Sequence, residues 1–285
     1  MSQSVRAIAL FWAMLPCMPA AQTAAKGKVQ SQTNQSSAPV RSSPAQPSQI
    51  PPKFGPPAPD PKQLSAGPSK ETFVYGADWR LIRAGTITLE SMPSKVSMRL
   101  ESAGLVASLF KVNDLYTSTY EDGFCATTAR LESNEGKRQR DSFTTYDRAA
   151  NRAHFLERDL LTDAVLRESS VDVAPCTSDV VGALFRLRAA PMEPGTSIQA
   201  PVSDGRRSAM VYVEAQEREE VKVPAGTFKT IRYEAGILNG VIYPRKGKAF
   251  IWYSDDARHI PVQIRLRMNF PVGTVTLGLE KQEGP

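Results

Sequence analysis

Three observations in this 285-residue chain predict a mainly β fold: a strongly curved antiparallel sheet or partly open barrel packed on one amphipathic α-helix. From about residue 71 onward, apolar and polar residues alternate in period two, the pattern of strands with one buried face. Turn-forming residues separate these runs at hairpin spacing, which argues against βαβ units. A single segment breaks the rhythm with helical spacing.

The alternation is clearest near the C-terminus. In Pro261–Phe270, Val262, Ile264, Leu266, Met268 and Phe270 share one face, opposite Gln263, Arg265, Arg267 and Asn269. Val275, Leu277 and Leu279 repeat the pattern, as do Val96, Met98 and Leu100, and Ile87 with Leu89. Asn134-Glu135-Gly136, Asp204-Gly205, Ala225-Gly226, Asn239-Gly240 and Lys246-Gly247 supply turns, giving roughly ten to twelve strands. The exception is Thr177–Ala190, where Val180, Val181, Leu184 and Leu187 follow helical spacing. Thr177 or Ser178 is the expected N-cap, Asp179 sits where the helix dipole favours an anion, and Pro191 ends the helix. A shorter helical turn is expected within Gly104–Asn113.

Residues 1–25 read as a secretory signal peptide. Arg6 precedes the nine-residue apolar run Ala7–Leu15, and small residues follow, with cleavage expected after Ala21 or Ala25. The run is too short to span a membrane, and no other apolar run approaches the ~18 residues required. Cys17 follows Met14, Leu15 and Pro16, a poor match to the Leu-small-small-Cys pattern of bacterial lipoprotein signals, so a soluble exported protein is expected. Residues 26–70 are rich in Pro, Ser, Gln and Ala, with few large apolar side chains, and read as a disordered tether. Residues 71–285 then form a single β domain.

Net charge narrows the partners. The whole chain carries +6, but Arg6 and the tether's Lys26, Lys28, Arg41, Lys53, Lys62 and Lys70 against Asp60 account for all of it. Residues 71–285 hold 28 basic and 28 acidic side chains, so no nucleic-acid partner is expected. Lys137-Arg138-Gln139-Arg140 and Arg206-Arg207 then read as exposed turns or strand faces. Two His and three Cys leave few routes to a zinc site or an activated nucleophile, so neither metal nor cofactor is expected. With the signal removed, Cys125 and Cys176 remain, and two cysteines in an exported chain most simply form a disulfide.

Several stretches occur in an order that resembles exported bacterial proteins of domain of unknown function family 3108. These are Phe73-Val74-Tyr75 with Trp79 and Ala84-Gly85; Asp179 to Arg188 with Pro191 and Pro194-Gly195; Val223–Phe228 (VPAGTF) with Thr230; and Trp252–Asp256 (WYSDD) with Arg258, Pro261 and Val262. Gly273 and Leu277 fit the same ending. The resemblance covers 71–285 and implies a secreted or periplasmic, mostly β domain with no assigned activity.

Two groups of residues are candidate ligand or ion-pair sites. Asp179, Arg186 and Arg188 lie on the helix that the sheet covers, and an arginine there is expected to reach a sheet carboxylate such as Asp255 or Asp256. Trp252, Asp255, Asp256 and Arg258 form the densest polar-aromatic segment. Adjacent aspartates on an extended strand point to opposite faces, so a carboxylate dyad would need a partner from elsewhere. Val223–Phe228 has the chemistry of a tight hairpin, with a binding loop as its functional alternative. The expected function is a non-catalytic binding or scaffolding module of the cell envelope, with an apolar ligand such as a lipid on the concave face. The alternative is an envelope enzyme acting on glycan through Asp or Glu.

Overall fold

The computed structural model describes residues 70–238, 242–243, 247–269 and 273–284. The signal peptide with Cys17, nearly all of the tether, Asn239-Gly240, Lys246 and Phe270 lie outside the described residues. Fourteen strands form one antiparallel sheet among them: β1 (Glu71–Trp79), β2 (Ile82–Met92), β3 (Lys95–Ser102), β4 (Asn113–Glu121), β5 (Cys125–Glu135), β6 (Arg138–Asp147), β7 (Arg152–Asp159), β8 (Val165–Asp172), β9 (Ser197–Ser203), β10 (Ser208–Val223), β11 (Gly226–Ala235), β12 (Gly247–Ser254), β13 (Pro261–Met268) and β14 (Thr274–Glu283). Two helices interrupt them, α1 (Gly104–Leu109) and α2 (Val180–Ala189).

The count exceeds the ten to twelve strands expected. The excess lies in polar strands such as β8, whose residues are all exposed or half-buried, so apolar alternation is faint there. Sheet order is β8-β7-β6-β5-β4-β3-β2-β1-β14-β13-β12-β11-β10-β9. Every neighbour is consecutive in the chain except β1 and β14, which zip two meanders together. The sheet is not closed: β8 and β9 are its two edges, and α2 is the connection between them.

That connection obliges the sheet to curl. The β9 side folds in against β6 and β7: the Tyr146 hydroxyl donates to the Ser203 carbonyl at 3.2 Å, and the Arg206 guanidinium lies 5.5 Å from the Phe155 ring centre. Gly205, at φ +84°, lets the β9–β10 turn press onto Thr144; a Cβ there would meet its Oγ1 at 2.3 Å. The interior face carries Val211, Val213, Tyr233, Ile251 and Tyr253 from one arm and Phe73, Ile87, Leu89, Val96 and Leu100 from the other.

The hairpin expected at Val223–Phe228 is present, with Val223 paired to Gly226 at φ +141°. Its tip is docked: the Ala225 N–H donates to the Leu279 carbonyl at 3.0 Å. Cys125 and Cys176 are disulfide-bonded, joining the start of β5 to the chain just before α2. Beside them the Ala126 N–H donates to the Thr177 carbonyl at 2.9 Å and the Ser178 hydroxyl to the Phe124 carbonyl at 2.8 Å.

Candidate functional site

Helix α2 crosses the concave face but does not fill it. A partly enclosed cavity of about 270 Å³ remains between the helix and the sheet. Val180, Val181, Ala183, Leu184 and Leu187 line it from the helix, and Ile87, Leu131, Val202, Val213, Ile251, Leu266 and Leu277 from strands around the curve. Packed interiors hold few voids larger than a water molecule. Val181, Leu184, Ile264, Leu266 and Leu277 point inward yet are only half-buried, because the space beside them is empty of protein. The polar lining is sparse: Ser142, Thr144, Asp204 and the tyrosines Tyr75, Tyr116, Tyr146 and Tyr243. Burial pushes the Tyr116, Tyr146 and Tyr243 phenols above their ordinary range, so each remains a neutral donor.

The helix is anchored by its ends. The N-cap is Asp179, in place of Thr177 or Ser178, whose hydroxyls donate to the Ala174 and Phe124 carbonyls instead. Asp179 Oδ1 accepts from the Val181 and Gly182 N–H groups at 2.9 and 3.1 Å and from the Tyr116 hydroxyl at 2.8 Å. Its Oδ2 accepts from the Ser118 hydroxyl at 2.6 Å. Four donors converge on one buried carboxylate. Arg186 turns back to the disulfide, donating to the Cys176 carbonyl at 2.9 Å.

Arg188 does reach a sheet carboxylate, but the partner is Glu71 and neither Asp255 nor Asp256. Its Nη2 donates to Glu71 Oε1 at 2.9 Å, its Nη1 pairs with Oε2, and its Nε donates to the Arg258 carbonyl at 3.1 Å. Glu71 opens β1 and is almost fully buried, so it meets the helix C-terminus where the turn after β12 stays at the surface.

The Trp252–His259 segment divides between two faces and a turn. Ile251 and Tyr253 face the interior, whereas Trp252 faces the other way, donating through Nε1 to Glu219 at 2.7 Å beneath the Arg265 guanidinium. Asp255 pairs with Arg218 at 2.8 Å. Asp256 accepts from the Ser254 hydroxyl at 2.8 Å and from the Arg258 and His259 N–H groups at 3.0 and 3.2 Å, which holds its carboxyl below the ordinary range despite desolvation. The aspartates are thus occupied by an ion pair and a turn, and neither lines the cavity. Nothing in this geometry supports a two-carboxylate glycan site. Among the described residues, no group of His, Cys, Asp and Glu is placed to hold a metal ion, and no helix is long and apolar enough to cross a membrane.

Sequence reasoning missed Glu71, Tyr116 and Ser118. A signal existed for β4: Asp114, Tyr116, Ser118 and Tyr120 form its buried face, and a buried face with an acid and a hydroxyl requires polar partners. Asp114 lies near Glu135, and burial raises their carboxyls to about 6 and about 7, Asp114 adding to the rise at Glu135. Both hold protons more tightly folded than unfolded, so their contribution is greatest below the ordinary carboxylate pKa and is lost as pH rises to 6–7. His259 acts in the opposite sense: burial lowers its pKa, and its contribution is lost as pH falls below the ordinary histidine value. Asp114→Asn is therefore expected to stabilise the chain by about 1–2 kcal/mol at pH 8 and to change little at pH 4. Urea unfolding at both pH values checks this, and equal shifts at both would contradict the buried-carboxyl account.

No curated protein sequence matches the chain. Among solved structures, a β-barrel-like protein of domain of unknown function DUF1849 from Brucella abortus aligns over 75% of this chain and 97% of its own, at 9% identity and a TM-score of 0.49. A protein of YmcC-like fold from Bacteroides fragilis, provisionally described as exported, aligns over 77% of this chain and 98% of its own, at 9% identity and a TM-score of 0.26. One from Parabacteroides distasonis, provisionally described as a lipoprotein, aligns over 78% and 98%, at 9% identity and a TM-score of 0.27. The family model for proteins of unknown function DUF3108 matches residues 74–280, a span from β1 to β14 that takes in the cavity and α2 with its N-terminal anchor, and the chain belongs to that family.

Proposed function

We propose that this is an exported, non-catalytic cell-envelope protein that binds one slim apolar molecule, such as a lipid acyl chain, between α2 and the concave face of the sheet. The cavity of about 270 Å³ carries this reading. Its walls are apolar side chains that water solvates poorly, and natural ligand sites combine such walls with a few placed polar groups. The phenols and Asp204 are those groups here; Tyr75, Tyr116 and Tyr146 already donate to protein acceptors, so what they offer a ligand is acceptor oxygens, suited to a hydroxyl. The signal sequence and the cysteine pair support export to an oxidising compartment, and residues 26–70 serve as a loose tether.

Native mass spectrometry of the purified chain is the direct test, with co-purifying lipid as the expected result. Ala183→Phe projects a ring from α2 into the cavity and is expected to displace that lipid while leaving the melting temperature equal or higher, since the ring occupies space already present. A lipid-free parent chain, or lipid retained by the filled variant, would overturn the reading.

A further inference from the structure

The exposed apolar side chains are not scattered. Among the described residues, the large ones gather at one end of the arm β1–β8, with Phe143 and Met210 as the exceptions. In an antiparallel meander, alternate connections lie at the same end. The β1–β2 turn, α1, the β5–β6 turn and the β7–β8 turn therefore form one rim. Hydrogen bonds join its pieces: Ala103 N–H to the Ala84 carbonyl at 2.9 Å, Gly136 N–H to the Lys111 carbonyl at 2.8 Å, and Leu160 N–H to the Gln139 carbonyl at 2.9 Å. Leu81 is 99% exposed, Leu105 74%, Leu109 64% and Leu161 62%, with Ile82 and Leu160 beside them. At the opposite end, the connections Pro93-Ser94, Asp122–Phe124 and Arg148–Asn151 present no exposed large apolar side chain.

The connections themselves carry a positive excess. The connecting residues 80–81, 103–112, 136–137 and 160–164 carry Arg80, Lys111 and Lys137 against Asp163 alone. At the strand ends beside them Arg138 faces Glu135 across the β5–β6 turn, and Asp159 accepts from the Leu161 and Thr162 N–H groups, so the excess rests on Arg80, Lys111 and Lys137. The basic cluster of the sequence thus lies among leucines.

The β1–β2 turn gives an independent sign. Trp79 pairs with Ile82 across a two-residue turn in which Arg80 and Leu81 both have positive φ, +50° and +71°. Asn-Gly is the chemistry such a turn favours. A leucine held in the left-handed region at nearly full exposure is strained backbone spent on presenting that side chain.

We propose that this rim docks on the surface of an anionic lipid bilayer, the leucines entering the acyl boundary and the basic residues meeting the headgroups. Leucines presented by neighbouring connections suit insertion between lipids, and the positive excess of those connections is complementary to an anionic surface. The proposal stands on the rim and does not depend on occupancy of the cavity.

Vesicle co-sedimentation of the full chain tests it, using vesicles of phosphatidylethanolamine with phosphatidylglycerol and vesicles of phosphatidylcholine alone. N-terminal segments are the same in parent and variants, so differences report the rim. The triple variant L105S/L109S/L161S is expected to bind the anionic vesicles about tenfold more weakly or worse. K111E/K137E is expected to lose the preference for anionic over phosphatidylcholine vesicles. R80N/L81G should bind more weakly while melting at or above the parent's temperature, because it relieves the turn; a merely structural role for Leu81 would not separate the two. Parent-like vesicle binding by the triple variant would overturn the proposal. So would a parent dimer that this variant converts to monomer in sedimentation velocity, which would assign the rim to a second copy of the chain.

Discussion

Arg188→Met is expected to destabilise the protein by about 3–5 kcal/mol, measured as a shift in urea midpoint at unchanged slope. The cost arises at the partner. Glu71 is almost fully buried, and its two carboxylate oxygens face the Arg188 guanidinium, which also lies 5.5 Å from the Phe73 ring centre. Methionine preserves much of the stem's packing but leaves that carboxylate without its counter-charge and the Arg258 carbonyl without its donor. Removing both charges is a different experiment. Glu71→Leu/Arg188→Met replaces the pair with apolar groups of similar size and is expected to recover most of the loss. A loss below about 1 kcal/mol for the single variant would mean that the pair behaves as a surface salt bridge.

This ion pair marks a limit of what the sequence discloses. Helical spacing of Val180, Val181, Leu184 and Leu187 identified α2, and the scarcity of cysteine identified the Cys125–Cys176 bond. Alternation likewise assigned Ile264, Leu266 and Leu277 to the inner face. Neither pattern says which strand passes the helix C-terminus. That depends on β1 pairing with β14 and on the direction of curl, set by contacts far apart in the chain. Glu71 is 117 residues from Arg188 and reads as nothing more than the first residue of a strand. The cavity was illegible for another reason. Period two reports which side chains point inward, while the separation of the facing surfaces depends on how the helix is held above them.

Polar and covalent ties at the two ends of α2 hold it there. Its N-terminus is fixed by the disulfide, by Ser178 on the Phe124 carbonyl and by Asp179. Its C-terminus is fixed by Arg188 on Glu71 and by His259 Nδ1, 2.8 Å from the Arg188 carbonyl. Between them, Phe185 packs 6.4 Å from Phe124 and Tyr253 donates to the Leu184 carbonyl at 2.7 Å, but Val181, Ala183 and Leu184 meet open space. A helix secured at its ends tolerates a gap beneath its middle. A helix held by close packing alone would lose the burial that defines its position.

The N-terminal anchor is therefore where one substitution should act most widely. Asp179→Ala is expected to cost about 2–4 kcal/mol: roughly 1 for the lost N-cap and about 1–3 for the buried Tyr116 hydroxyl left without its acceptor. Tyr116 lies 2.8 Å from the carboxylate on the buried face of β4, whereas Ser118, 2.6 Å from it, can turn to the Thr128 carbonyl at 3.2 Å. The compensating variant separates the terms. Adding Tyr116→Phe to Asp179→Ala removes the orphaned hydroxyl and should restore all but the capping loss. Asp179→Asn retains the cap chemistry and should fall between parent and alanine variant, since an amide has one acceptor oxygen for donors that now meet two. Urea unfolding of the four proteins orders them, with Asp179→Ala the least stable. If the double variant is no more stable than Asp179→Ala, the Tyr116 hydroxyl is not what the carboxylate serves, and capping of α2 would be its whole contribution.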